Sequence, residues 1–200
     1  MPRDRSATDP GAGFWDDAPA ESEPDASPKA GADRSVVGFV VRTDGAARGN
    51  PGPASLGAAL YDLRRPDARD PSAQPDAWIS EYLGVQTNNV AEYTGVVRAL
   101  DLARELGASE AHLLLDSKLI VEQLTGRWRV KDAKLIPLWE EARRTLRGFS
   151  RWSADHVPRA QNSAADALAN EAIDRVAAGG PASVVRRPGT GERGGASGAG

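Results

Sequence analysis

An α/β protein with some parallel strand pairing is what this sequence predicts, and two observations carry the expectation. Short β-branched apolar runs alternate with segments of helical periodicity in the order βββαβααβα, and several strand-helix-strand crossovers fall within that order. The segments on either side are too polar or too glycine-rich to build a core, so a single domain carries the fold.

Each element has its own local reason. Residues 36–43, 55–63 and 77–84 are three apolar runs separated by Gly, Pro and Asp turn chemistry, which reads as three consecutive strands. A helix follows over 88–106, where Val90, Tyr93, Val97, Leu100 and Leu106 recur at helical spacing and Gly107 stands just past the end. Residues 111–115 read as a short buried strand, 117–124 as a short helix and 135–146 as an amphipathic helix. A last strand over 150–157 and a last helix over 162–177 complete the domain.

Composition bounds the rest. The chain has 200 residues, enough for one ordinary domain plus tails. Residues 1–34 hold four basic and eight acidic residues, net −4, and are expected to be a disordered acidic tail. Its apolar pair Phe14-Trp15 is either a docking patch or incidental. Residues 178–200 are rich in Gly, Arg, Ser and Thr and read as a flexible linker. Cysteine is absent, which excludes disulfides, disulfide-linked partners, thiolate metal sites and a cysteine nucleophile. No apolar run approaches the roughly 20 residues of a membrane helix, and no secretory signal opens the chain, so a soluble cytoplasmic protein without membrane association is expected.

Four acidic residues each sit in a short motif of their own. Asp44 opens Thr43-Asp44-Gly45 and precedes Gly49-Asn50-Pro51-Gly52-Pro53; Glu92 ends Thr87-Asn88-Asn89-Val90-Ala91-Glu92. Asp116 follows Leu113-Leu114-Leu115, and Asp166 ends Asn162-Ser163-Ala164-Ala165-Asp166. Taken singly, Asp44 reads equally well as a turn residue, Asp116 as a helix N-cap and Asp166 as part of a capping box with Ser163. Glu92 in a first helical turn is favoured by the helix dipole alone. None of those roles accounts for all four with their attached motifs. Carboxylates brought together by folding make a hard-oxygen cage suited to divalent cations and to nuclease chemistry.

Those motifs, in that order over about residues 35–177, resemble the type 1 ribonuclease H family, in particular bacterial ribonuclease HI-like domains. The resemblance implies a ribonuclease H-like fold with a five-stranded mixed sheet flanked by helices on both faces. It also implies an endonuclease that hydrolyses the RNA strand of RNA–DNA hybrids to 5′-phosphate and 3′-hydroxyl ends. Asp44, Glu92, Asp116 and Asp166 would then hold two Mg2+ ions, Asp44 bridging them, with Mn2+ able to substitute. The backbone from Gly45 to Arg48, together with Asn50 and Glu92, would read the RNA 2′-hydroxyl, while Thr87 and Asn88 would face the backbone and base edges of the DNA strand. His156 lies ten residues before Asp166, where some members carry a catalytic-loop histidine; Arg159 is the alternative for that role.

Family members with a long basic protrusion have no counterpart here beyond Arg127, Arg129 and Lys131. Residues 127–159 hold nine Arg or Lys against four acidic residues, net +5, and that stretch is the candidate for tracking phosphates, with a solvated helix face as the plainer alternative. Nothing in residues 1–34 matches the small hybrid-binding module of other members. Related bacterial proteins carry a phosphatase-like domain after the ribonuclease H domain, so a fused partner domain is a further expectation. The rivals are another ribonuclease H-like nuclease or a non-catalytic hybrid-binding domain. The first would not need the Gly-Asn-Pro-Gly-Pro turn, and the second would be expected to lack a carboxylate.

Overall fold

The computed structural model describes residues 37–188. The expectations for residues 1–34, Phe14 and Trp15 included, lie outside the described residues. Strands β1 (Gly38–Ala47), β2 (Gly52–Asp62) and β3 (Ala77–Gln86) come first and pair antiparallel in sequence order, and helix α1 (Asn88–Glu105) follows. Then come β4 (Glu110–Leu115), α2 (Lys118–Leu124), α3 (Ile136–Leu146), β5 (Arg151–His156), a 3-10 turn over Arg159–Gln161, α4 (Ser163–Ala177) and β6 (Ser183–Arg186). The sheet order is β5-β4-β1-β2-β3-β6, with β4 parallel to both β1 and β5. No helix among the described residues is long and apolar enough to cross a membrane.

The α/β class and the ribonuclease H-like arrangement hold, with six strands among the described residues in place of the five expected. Residues 183–186, read from sequence as part of a flexible linker, pair antiparallel with β3 from Trp78↔Arg186 to Glu81↔Ser183. Ser-Val-Val-Arg is too short to show a period, and it becomes a strand because β3 offers an open edge. The first hairpin is also longer than its apolar runs suggest. Pairing continues from Phe39↔Asp62 to Ala47↔Ala54, so the polar residues after Thr43 are strand rather than turn.

Successive strand side chains face opposite sides of the sheet, and the two faces bury different partners. Phe39, Val41, Leu56 and Leu60 pack against Tyr93, Val96 and Leu100 of α1, with Ile120, Leu124 and Leu146 of α2 and α3 behind them. Within this layer Tyr93 Oη donates to Gln123 Oε1 at 2.6 Å, which ties α1 to α2 without stranding either polar group. The opposite face is smaller: Val40, Ala59, Tyr61, Leu114 and Val157, with Ala164 and Leu168 of α4 against them. Here α4 comes to backbone contact with β2, since a Cβ on Gly57 would lie 2.0 Å from the Ala165 carbonyl oxygen.

The register of β1 against β4 positions the site. The pairs run from Gly38↔Glu110 to Val41↔Leu113, and the same step continued along both strands brings Asp44 abreast of Asp116. Both then project on the face that α4 covers.

Candidate active site

Asp44, only 7% exposed, accepts the Gly45 N–H at 2.8 Å. Gly45 is where α1 meets the strand end: a Cβ there would lie 2.3 Å from the Glu92 nitrogen, so this close approach requires glycine. Thr87 caps α1 by accepting the Val90 N–H at 3.4 Å, and one turn into the helix Asn88 Nδ2 donates to Glu92 Oε1 at 2.6 Å. Asp116, directly after β4, accepts from Asn162 Nδ2 at 2.9 Å, and the same amide donates to the Thr43 carbonyl at 2.9 Å. Asp166, in the first turn of α4, accepts from Arg159 Nη2 at 2.5 Å and from Asn170 Nδ2 at 3.2 Å.

All four carboxylates line one cavity of about 340 Å³, and Asn88, Ser117, Arg159 and Asn170 share its wall. The N-cap positions are occupied by neighbours, Ser117 for α2 and Asn162 for α4, and neither side chain makes a capping hydrogen bond. Asp116 and Asp166 are instead held by Asn162 and by Arg159 with Asn170.

The charge balance is strained. Burial pushes the Asp44 carboxyl up to about 7, with repulsion from Asp116 and then Asp166 adding to it and the Gly45 N–H opposing. Burial also raises Glu92 above the usual carboxylate range; Asp116 adds to the rise, while hydrogen bonds from Ser117 and Asn88 work against it. Arg159 is held further in its charged form, first by its hydrogen bond to Asp166 and then by the charges of Asp166, Asp44 and Asp116.

Among the described residues no three acidic or histidine groups close round a single point, and each of the four carboxylates accepts from a donor of its own. The donor set nevertheless fits hard divalent cations. It is all oxygen, and a bound cation would offset both the burial that lifts Asp44 and the repulsion from Asp116 and Asp166 that adds to it.

The remaining predicted residues are distributed around this centre. Gly45 is on the cavity wall. Asn50 Oδ1 accepts the Asn88 N–H at 3.3 Å, fastening the Gly-Asn-Pro-Gly turn to the start of α1. Arg48 is exposed and paired with Asp174 of α4 at 2.6 Å. Arg127, Arg129 and Lys131 lie on the exposed loop after α2, outside the cavity lining, and Arg127 is paired with Glu122 at 2.5 Å. His156 Nε2 lies 3.2 Å from the Asp116 backbone carbonyl and is not part of the wall, whereas Arg159 is. His112 is packed within the sheet, its Nδ1 3.0 Å from Ser153 Oγ, and burial holds its imidazole below the ordinary value. Two contributors were not singled out from sequence for these roles: Asn162, which orients Asp116, and Asn170. The spacing of Asn170 four residues after Asp166 on a helix was the available signal.

A mixed sheet with an acidic cavity at the shared end of β1 and β4, walled by the first turns of α1 and α4, defines the ribonuclease H-like class. The family described as reverse transcriptase-like matches residues 42–172, and the chain belongs to it as a type 1 ribonuclease H-like domain. It is 45% identical over 138 residues to "Bifunctional protein Rv2228c" of Mycobacterium tuberculosis, covering 69% of this chain and 36% of that one, and so spans about a third of that relative's length. The solved N-terminal RNase H domain of that relative, as a fusion with maltose binding protein, matches with a TM-score of 0.65 at 44% identity, covering 72% of this chain and 98% of the other. "Ribonuclease HI" of Halobacterium salinarum is 44% identical over 131 residues, 66% of this chain and 62% of its own. LC11-RNase H1, solved in complex with RNA/DNA hybrid, matches with a TM-score of 0.62 at 34% identity, covering 70% of this chain and 99% of that one.

Proposed function

We propose that this domain is an endonuclease that hydrolyses the RNA strand of RNA–DNA hybrids, leaving 5′-phosphate and 3′-hydroxyl ends. The observation that carries the reading is the convergence of Asp44, Glu92, Asp116 and Asp166, from four separated motifs, on one cavity. The named ribonuclease H relatives support it, one of them solved with a hybrid.

Two magnesium ions are the cofactor this all-oxygen donor set suits, and Asp44, Glu92, Asp116 and Asp166 would be the residues that hold them; manganese would be the expected substitute. When bound, they supply a water that is nucleophilic at neutral pH and stabilise the oxygen that leaves. The chain's own residues do the rest. Arg159, on the cavity wall, attracts the phosphodiester and offsets the charge of Asp166. The backbone of residues 45–48 and the Asn50 side chain read the 2′-hydroxyl that only RNA carries, with Asn50 held in place by the Asn88 N–H. Thr87 and Asn88 face the DNA strand, and Arg127, Arg129 and Lys131 track phosphates of the hybrid. His156 assists from the edge of the site, subordinate to Arg159. We place the activity in the cytoplasm, and a fused phosphatase-like domain is the partner to look for in longer relatives.

The deciding experiment offers labelled RNA–DNA hybrid, double-stranded RNA and duplex DNA with and without magnesium. Magnesium-dependent cutting of the hybrid's RNA strand alone is expected. Cutting of duplex DNA, or no cutting of the hybrid, would overturn the reading.

A further inference from the structure

Arg42 is among the largest side chains sealed inside the domain, 1% exposed, two residues before Asp44 and on the same face of β1. Its charge is satisfied by main chain. Nη1 donates to the Gln161 carbonyl at 2.6 Å, Nη2 donates to the Arg69 carbonyl at 3.0 Å, and the guanidinium lies over the Tyr61 ring at 6.0 Å. Its Nε and the Tyr61 hydroxyl are buried with no protein partner, a cost that an apolar side chain of similar volume would avoid. Packing alone therefore does not account for an arginine here.

Its partner segment explains the choice. Gln161 closes the 3-10 turn that begins at Arg159, and the next residue, Asn162, is fully buried. Asn162 Nδ2 donates back to the carbonyl of Thr43, the residue between Arg42 and Asp44, and also to Asp116 Oδ1. The two segments thus clamp each other: β1 sends a side chain to the backbone of the turn, and the turn sends a side chain to the backbone of β1. The turn in turn carries Arg159 and leads into the first turn of α4, which holds Asp166.

We propose that Arg42 is a positioning residue, which seats the 159–162 turn on β1 and thereby orients Arg159, Asn162 and, through Asn162, Asp116 relative to Asp44. The proposal rests on the reading of this cavity as the hybrid-cleaving centre. Arg42 touches neither substrate nor cation, and it acts by fixing the distance between the strand that bears one carboxylate and the turn that steadies two others. Its contact with the Arg69 carbonyl extends the same tie to the β2–β3 connection.

The test uses R42M, which fills the space without the charge, and R42K, whose ammonium reaches one of the two carbonyls. Steady-state hybrid cleavage at saturating magnesium is measured with thermal melting and amide hydrogen exchange. For R42M, kcat should fall by about tenfold or more, because a misplacement of about 1 Å is enough for such a loss, while the hybrid KM stays within about threefold. Exchange at residues 159–162 should rise while the melting temperature stays close to wild type, and R42K should recover a large part of kcat. R42M with kcat within about twofold of wild type would overturn the proposal. So would a loss that only follows the unfolded fraction, with unchanged protection of the turn. A wild-type protein that does not cut hybrid would instead sink the functional reading, and the exchange measurement would still decide whether the clamp exists.

Discussion

Arg159 Nη2 lies 2.5 Å from Asp166 Oδ1, so the one basic residue among the described ones lining the cavity is already committed to one of its four carboxylates. His156, by contrast, points one ring nitrogen at the Asp116 backbone carbonyl. Arg159→Ala should therefore lower turnover by about tenfold, equivalent to roughly 1.4 kcal/mol, and His156→Ala by no more than about threefold. Parallel measurements of kcat at saturating hybrid and magnesium check this. A larger loss for the histidine would move the phosphate-handling role away from Arg159.

Metal-free stability should fall as the pH rises. Asp44 keeps its proton up to about 7 in the folded protein, against roughly 3.9 for an aspartate in an unfolded chain. A carboxyl raised by folding contributes stability that is complete below its unfolded pKa and is lost as pH climbs through the folded one. The window is about pH 4 to pH 7, and the loss from this group is at most about 4 kcal/mol. Glu92, raised for the same first reason, adds in the same direction. Melting in chelator should thus be lower at pH 8 than at pH 5, and magnesium should restore more at pH 8. A melting temperature that does not change across this range would contradict the surplus of buried charge.

Asp44→Asn should separate chemistry from folding. Removing this carboxylate is expected to cut hybrid cleavage by at least about a hundredfold, since on the proposed reading its charge would help to hold both cations. The metal-free variant should melt no lower than wild type at pH 8, because the repulsion from Asp116 and Asp166 is gone. Near-normal cleavage, or loss of the fold, would count against the assigned role.

Salt dependence probes the loop after α2. Neutralising Arg127, Arg129 and Lys131 together should weaken hybrid binding and flatten its dependence on salt by about two units rather than three, at roughly 0.9 unit per phosphate contact. Arg127 contributes least because Glu122 already holds it at 2.5 Å. Turnover at saturating hybrid should hardly change. A collapsed kcat with an unchanged slope would show that the loop shapes the cavity instead.

Chain length tests the sixth strand. A protein ended at residue 178 loses the four β6 pairs with β3 and should be less stable than one ended at 188 by roughly 1–4 kcal/mol, at about 0.2–1 kcal/mol per cross-strand pair. Cleavage per folded molecule should stay within a few-fold. Equal melting curves would mean that β6 contributes nothing to the sheet.

How much was legible follows from what each residue's signal depends on. Asp44, Glu92, Asp116 and Asp166 could be picked out because each sits in a motif that is itself local, and the long α1 because five apolar residues keep its period. β6 was missed because its pairing is supplied by β3, not by its own four residues. Arg42 was hidden inside an apolar run, where the sequence shows a charge but not the carbonyls, more than a hundred positions away in one case, that receive it. The role of Asn162 was hidden too: in the sequence it only opens the motif that ends at Asp166, and folding is what turns its amide to Asp116 and Thr43.

The parallel pairing Val41↔Leu113 makes the spacing of Asp44 and Asp116 a discrete quantity. Sliding β4 by a single residue would turn Asp116 to the opposite face of the sheet, so strand pairing offers no intermediate position. Damage to the sheet should accordingly show up as fewer competent molecules, each with ordinary turnover, and not as a uniform population of weakened ones. Graded tuning is left to the turn at 159–162 and its neighbours, where a hydrogen bond can lengthen by fractions of an ångström.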